Sequence, residues 1–387
     1  MISINGNNIL SAYTGGIPVQ VIYCYGNKVW PTTEPTPTYE YYMSWTPTNL
    51  SEGAFEINDI DYKFSNYNGY FEWNGQSYFD FGTLTNVPNI SYLETNILSV
   101  SDKTFALYVP QSVNLPNCNY IGRSVFGNNS TLQFISLPNC SYIGSYAFLQ
   151  CHSLQFISLP KCSYIGRSAF ENCYSLQFID LPNCGGIDTD TFCNCSSLQS
   201  VSLPMCGYVS DAAFYNCSSL QSVDLPNCGG IGSGAFRGCP LQSVDLPNCR
   251  NIGPNAFRGC PFQFIDLPKC SQIRSGAFGY CSSLQSISLP VCVWLYSGCF
   301  YNCYRLQSIS LPNCRSIADQ TFTYCSALTE VTLLYSSVCS LGGSLVFQYT
   351  PIASGTGSIY VPESLVSAYK SAIGWSAFSS RIFAINN

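Results

Sequence analysis

The chain has 387 residues, a net charge of −6 and only 9% charged residues, where an ordinary soluble domain carries about 25%. So few and so scattered Lys and Arg exclude nucleic acid as a partner, and no apolar run reaches the roughly 18 residues a membrane-spanning helix needs. Such a length suits two or three compact units, or one solenoid with end pieces.

Residues 1–30 read as a small β module, with Asn5-Gly6, Gly15-Gly16 and Gly26-Asn27 as turns and Val19, Val21, Tyr23 and Tyr25 alternating between them. The first Lys is Lys28, so no basic stretch precedes an apolar run as in an export signal. The stretch ISINGNNILSAYTGGIPVQVIYCYGNKVWP resembles an N-terminal module of gut-phage appendage proteins, with its Tyr-x-Gly turn and its Val-Trp end. Residues 31–38, PTTEPTPT, form a stiff Pro/Thr linker. Residues 39–110 turn aromatic and polar, with Asn74-Gly75 between two alternating runs as a hairpin signal; they read as an aromatic-rich β domain or an N-terminal cap.

From 111 to 333 one 22-residue unit recurs, clearest over 154–175 as LQFISLPKCSYIGRSAFENCYS. The Leu of its Leu-Pro pair falls at 115, 137, 159, 181, 203, 225, 246, 267, 289 and 311, a step of 22 broken by two of 21. A Cys follows three positions later and a Phe eleven positions later in every unit. Ile157-x-Leu159 has strand spacing, Pro160 ends the strand, Ile165-Gly166 reads as a turn, and Ala169-Phe170 returns the chain. No such unit buries its apolar side alone; stacked copies do, at roughly 4.8 Å per coil, so that ten make a rod about 50 Å long.

The run L-x-x-I-x-L-P-x-C-x-x-I-G-x-x-A-F-x-x-C resembles the leucine-rich repeat of BspA-like, or Treponema-type, proteins. The resemblance implies a right-handed repeat solenoid with one parallel β-sheet on its concave side, used for binding and adhesion. Asp188, Ser210, Arg274 and Tyr296 replace the turn Gly, and those coils are expected to turn differently. Residues 334–387 read as a C-terminal cap with a short amphipathic helix: Pro362 at its start, Leu365, Val366, Tyr369 and Ile373 on one side, and Gly374 after it.

The 23 Cys suggest a disulfide scaffold by number, but nineteen fall into two columns where parallel side chains point the same way. They read as reduced core thiols, in keeping with folding in a reducing cytoplasm, and the off-column Cys193 and Cys299 show no paired C-x-x-C set for zinc. His152, the chain's one His, reads as a solvated turn residue, which leaves no Ser-His-Asp or Cys-His arrangement.

Two columns of the open strand face vary. The first runs Phe134, Phe156, Phe178, Ser200, Ser222, Ser243, Phe264; the second holds Asp180, Asp224, Asp245 and Asp266 among Ser residues. An aromatic ladder is a ligand surface or the seat of the N-terminal region. Asp224, Asp245 and Asp266, one coil apart, are a Ca²⁺ or cationic-group candidate; as glycoside hydrolase carboxylates they lack an enclosing pocket. No cofactor besides Ca²⁺ is expected. The expected function is non-enzymatic recognition of a cell-surface glycan or protein, carried on a phage virion with the N-terminal region contacting other virion proteins. The alternative is a bacterial surface or secreted adhesin; a homo-oligomer stays open in either setting.

Overall fold

A computed structural model describes residues 111–385 throughout and, before them, the backbone of nine strands between Ile2 and Val100. The Pro/Thr linker, the Asn74-Gly75 hairpin and the side chains of 39–110 lie outside the described residues. Ile2–Ile4, Asn7–Thr14, Ile17–Cys24 and Asn27–Trp30 pair in sequence order as an antiparallel meander.

The repeat is a stack of coils whose three-residue strands pair in parallel and in step. Phe134–Ser136, Phe156–Ser158, Phe178–Asp180, Ser200–Ser202 and Ser222–Asp224 align so that Ile135, Ile157, Ile179, Val201 and Val223 form one buried column. The ladder starts before residue 111, since Tyr42–Trp45 pairs with Tyr92–Thr95, which pairs with Ser112–Asn114. It also runs on past Leu333, through Glu330–Leu333, Ser358–Val361 and Ile382–Ala384.

The expected strand side is joined by a second. Tyr164–Ile165, read from the sequence as the approach to a turn, is a two-residue strand in a ladder with Tyr142–Ile143 and Tyr120–Ile121. Gly follows because the coils come close there: a Cβ on Gly144 would stand 2.6 Å from the carbonyl carbon of Gly122. Ser210, Arg274 and Tyr296 turn as the Gly coils do, as does Ala318, a fifth replacement of the turn Gly. The N–H groups of Ser210, Arg274 and Tyr296 bond to Ile187, Ile252 and Ile273 as Gly166 bonds to Ile143, all at 2.9–3.0 Å. Asp188 does differ. Its carboxylate accepts from the Thr189 N–H at 2.6 Å, and Ile187 keeps only a single bridge to Val209, which splits this ladder in two.

A third side closes the coil by alternation. The N–H groups of Tyr146, Phe148 and Gln150 bond to Arg167, Ala169 and Glu171 of the next coil, while those of Ala147, Leu149 and Cys151 bond three residues back. Two left-handed residues four apart set up this alternation: Tyr146 and Gln150 have φ of 62° and 59°, and Ser168 and Asn172 repeat them at 52° and 61°. Few buried backbone groups are thereby left without a partner.

Inside, Leu, Cys, Ile and Phe each stack on their own kind. The rings from Phe126 to Phe347 lie face to face at 5.0–5.8 Å. All are fully buried, each worth about 2–3 kcal/mol of transfer free energy. The thiols of the described residues are free, and in both columns they donate to carbonyls. First-column Cys162 donates to Tyr164 O at 3.1 Å within its own coil, and second-column Cys173 to Phe148 O at 3.1 Å in the preceding one. Burial pushes Cys151 up to about 12 and Cys173 well above the thiol range, so these groups are packing atoms with a donor rather than nucleophiles.

At the far end, Val366–Ser371 is helical between two 3₁₀ turns, Glu363–Leu365 and Trp375–Arg381. Tyr369 and Trp375 are buried and hold Cys339 from both sides: its N–H donates to Tyr369 Oη at 2.9 Å, and its carbonyl accepts from Trp375 Nε1 at 2.6 Å. Ile373 does not belong to the helix's apolar side. The backbone is already extended at Ala372, Gly374 then turns it at φ 82°, and Ile373 is 95% exposed.

Candidate functional site

On the strand face the outward positions flank the buried Ile column, so each coil offers one side chain before it and one after. Phe134, Phe156 and Phe178 are brought together. Each ring is half-buried, with centroids 6.2 and 6.0 Å apart and planes within 10° of parallel. Near-parallel rings at this spacing form an offset stack, the arrangement the aromatic quadrupole favours over a face-to-face sandwich. Phe264 stands apart in the same column, 57% exposed, with Ser286 as its partner in register.

The carboxylates are only partly assembled. Asp224 and Asp245 face each other across a single bridge, and Ser202 Oγ donates to Asp224 Oδ2 at 3.4 Å. The stretch around Asp245 forms no strand, because two coils are one residue short. Cys239-Pro240-Leu241 and Cys260-Pro261-Phe262 replace the Cys-Ser-Ser-Leu of the neighbouring coil, and Pro brings no N–H to the turn. The ladder resumes at Phe264–Asp266, pairing onward with Ser286–Ser288. Asp180 belongs with the rings instead. It is half-buried beside Phe178, in register with Ser158, whose Oγ is buried without a hydrogen-bond partner, and burial raises its carboxyl above the usual range.

The register also carries surface ring stacks and cation–π pairs that sequence reading did not point to. Tyr120, Tyr142 and Tyr164 stack at 4.8 and 4.9 Å along the second ladder, 37% and 42% exposed at the two ends. Arg258 lies over Tyr280 at 4.3 Å and Arg274 over Tyr296 at 4.5 Å. His152 is exposed and stacks on Tyr174 at 4.9 Å. For the Tyr120, Tyr142 and Tyr164 stack the signal was present: the Tyr before Ile-Gly recurs two residues after the first-column Cys. Among the described residues, Arg167–Asp190 is the one ion pair, and no three His, Cys, Asp or Glu side chains form a set able to hold a metal ion.

The model of the family described as BspA type leucine rich repeat region matches residues 76–177, 141–263 and 250–378. The chain belongs to that family. The match begins well before residue 111, as the Tyr92–Thr95 strand does. Among solved structures, a leucine-rich repeat protein from Bacteroides ovatus superposes with a TM-score of 0.51 at 19% identity, over 82% of this chain and 97% of that one. A leucine rich cell surface protein from Faecalibacterium prausnitzii gives 0.46 at 19%, over 84% and 97%, and the T. pallidum leucine rich repeat protein gives 0.36 at 28%, over 54% and 82%. No curated protein matches. BspA-type repeat chains are generally binding proteins rather than enzymes, and no helix among the described residues is long and apolar enough to cross a membrane.

Proposed function

We propose that this BspA-type chain is a receptor-binding protein of a phage virion, whose strand face recognises a glycan or protein on a host-cell surface. The observation that carries the binding site is the contrast between fixed and varied columns. Inside, the columns keep Leu, Cys, Phe and Ile or Val with few apolar exchanges, while the flanking outward positions pass from Phe to Ser and from Ser to Asp. Contact would centre on Phe134, Phe156, Phe178 and Asp180, where half-buried rings and a half-buried carboxyl give an apolar patch with a polar margin. Asp224, Asp245, Asp266 and Phe264 would extend it, a Ca²⁺ or a cationic group of the ligand relieving the repulsion between Asp224 and Asp245.

The virion setting rests on the resemblance of residues 1–30 to phage appendage modules and on the free thiols of the core. In that setting the N-terminal region contacts other virion proteins. A bacterial surface or secreted adhesin is the second reading, favoured by the usual location of BspA-type proteins. Proteomics of purified particles against washed envelopes separates them; recovery in envelopes alone removes the virion reading. For the site, the double variant Phe156→Ala/Phe178→Ala, measured on receptor-bearing cells with and without Ca²⁺, is expected to bind at least about tenfold more weakly than the parent, a loss of about 1.4 kcal/mol. Unchanged binding by a folded variant removes the strand face from the contact.

A further inference from the structure

The first-column thiol of the last coil, Cys339, breaks the rule that the others in its column keep. Each first-column Cys from Cys118 to Cys314 donates to the carbonyl two residues on. Cys339 instead lies with its Sγ 3.9 Å from Cys314 Sγ, with only a 3.6 Å contact to Ser340 O besides. The cause is the coil itself: from Cys314 to Cys339 the step is 25 residues, and the cap takes both backbone groups of Cys339 through Tyr369 and Trp375. Its side chain is thereby turned toward its neighbour in the column.

From this contact we infer that Cys314 and Cys339 form a disulfide when the folded chain meets an oxidant of the peroxide class, stapling the C-terminal cap to the last regular coil. The balance closes with hydrogen peroxide. One sulfur attacks the peroxide oxygen to give a sulfenic acid and water. The second sulfur then displaces the hydroxyl as a second water, so the two thiols lose two electrons and two protons in all. The Cys339 thiol is directed at the Cys314 sulfur, so whichever sulfur is oxidised first has the other already beside it. Both groups are buried, so a small oxidant entering as the cap loosens fits better than a bulky disulfide. The location has a purpose in a stack, where the end coil frays first.

The test uses the full chain, treated with hydrogen peroxide, alkylated, and mapped without reduction. The expected result is a Cys314–Cys339 linkage as the dominant disulfide. Tryptic cleavage after the exposed Lys370 should slow several-fold and recover with dithiothreitol. The Cys339→Ala variant should show neither linkage nor slowing. Linkages spread evenly over the Cys columns, or oxidation of other thiols with Cys314 and Cys339 still free, would overturn the inference; both readouts come from the parent chain and do not depend on the variant folding.

Discussion

Asp180 shows how a single position of the open face departs from its column. Its carboxyl is raised by burial, so ionising it opposes folding: the contribution to stability is full while the group is protonated and is lost as pH rises through its folded-state value. Asp180→Asn should therefore melt higher than the parent at neutral pH, and the gap should close below about pH 3.9, where the unfolded carboxyl is protonated too. Thermal melts at several pH values check this; a gap independent of pH would assign the gain to something other than charge. At this scale the sequence was legible wherever a residue stands over its own kind. The Cys and Phe columns follow from counting, and so does the Phe134–Phe156–Phe178 stack. The left-handed positions were hidden because Ser168, Asn172 and Tyr280 hold them as well as Gly276 does. Each non-Gly residue there costs roughly 1–2 kcal/mol of backbone energy, which the hydrogen bonds of the alternating turn offset.

The coil is the element, and it is bonded to its neighbours along three sides. Phe170 lies at the centre of one, fully buried between Phe148 at 5.0 Å and Phe192 at 5.4 Å. Phe170→Ala should cost about 3–5 kcal/mol. In a structure where each unit touches only the next, the cavity also weakens one interface between two halves. Denaturant melts should then broaden or split, while a variant that loses stability in one sharp step would show that the halves stay coupled. The second ladder escaped sequence reading for a physical reason. A two-residue strand leaves no alternation to see, and its outward residue is Tyr, Gly, Asn, Gln or Trp in turn. The shortened steps at 246 and 267 were visible as numbers, but that they would interrupt pairing at Asp245 was not.

Over the whole molecule, the ladders replace ion pairs as the source of cohesion. Among the described residues one salt bridge, between Arg167 and Asp190 at 3.3 Å with the Arg largely exposed, adds little. The cap matters more, because Phe347 continues the ring column under Trp375 and Phe378, and Ser358–Val361 continues the sheet. A chain ending at Leu333 would bare Phe322, Leu333 and an unpaired strand edge. It should self-associate at micromolar concentration in light scattering, whereas the full chain's solenoid end stays covered; a monodisperse monomer from the shortened chain would mean the cap is dispensable. The end regions were the least legible part, since the 111 and 333 boundaries mark where the 22-residue pattern fades, not where the stacking stops.

One consequence follows from every side chain meeting its own counterpart a single coil along. Duplicating or excising one complete period joins residues that were already neighbours in kind, so the junction asks for no compensating change elsewhere. Such a chain can gain or lose reach, and change the lettering of its open strand face, one coil at a time.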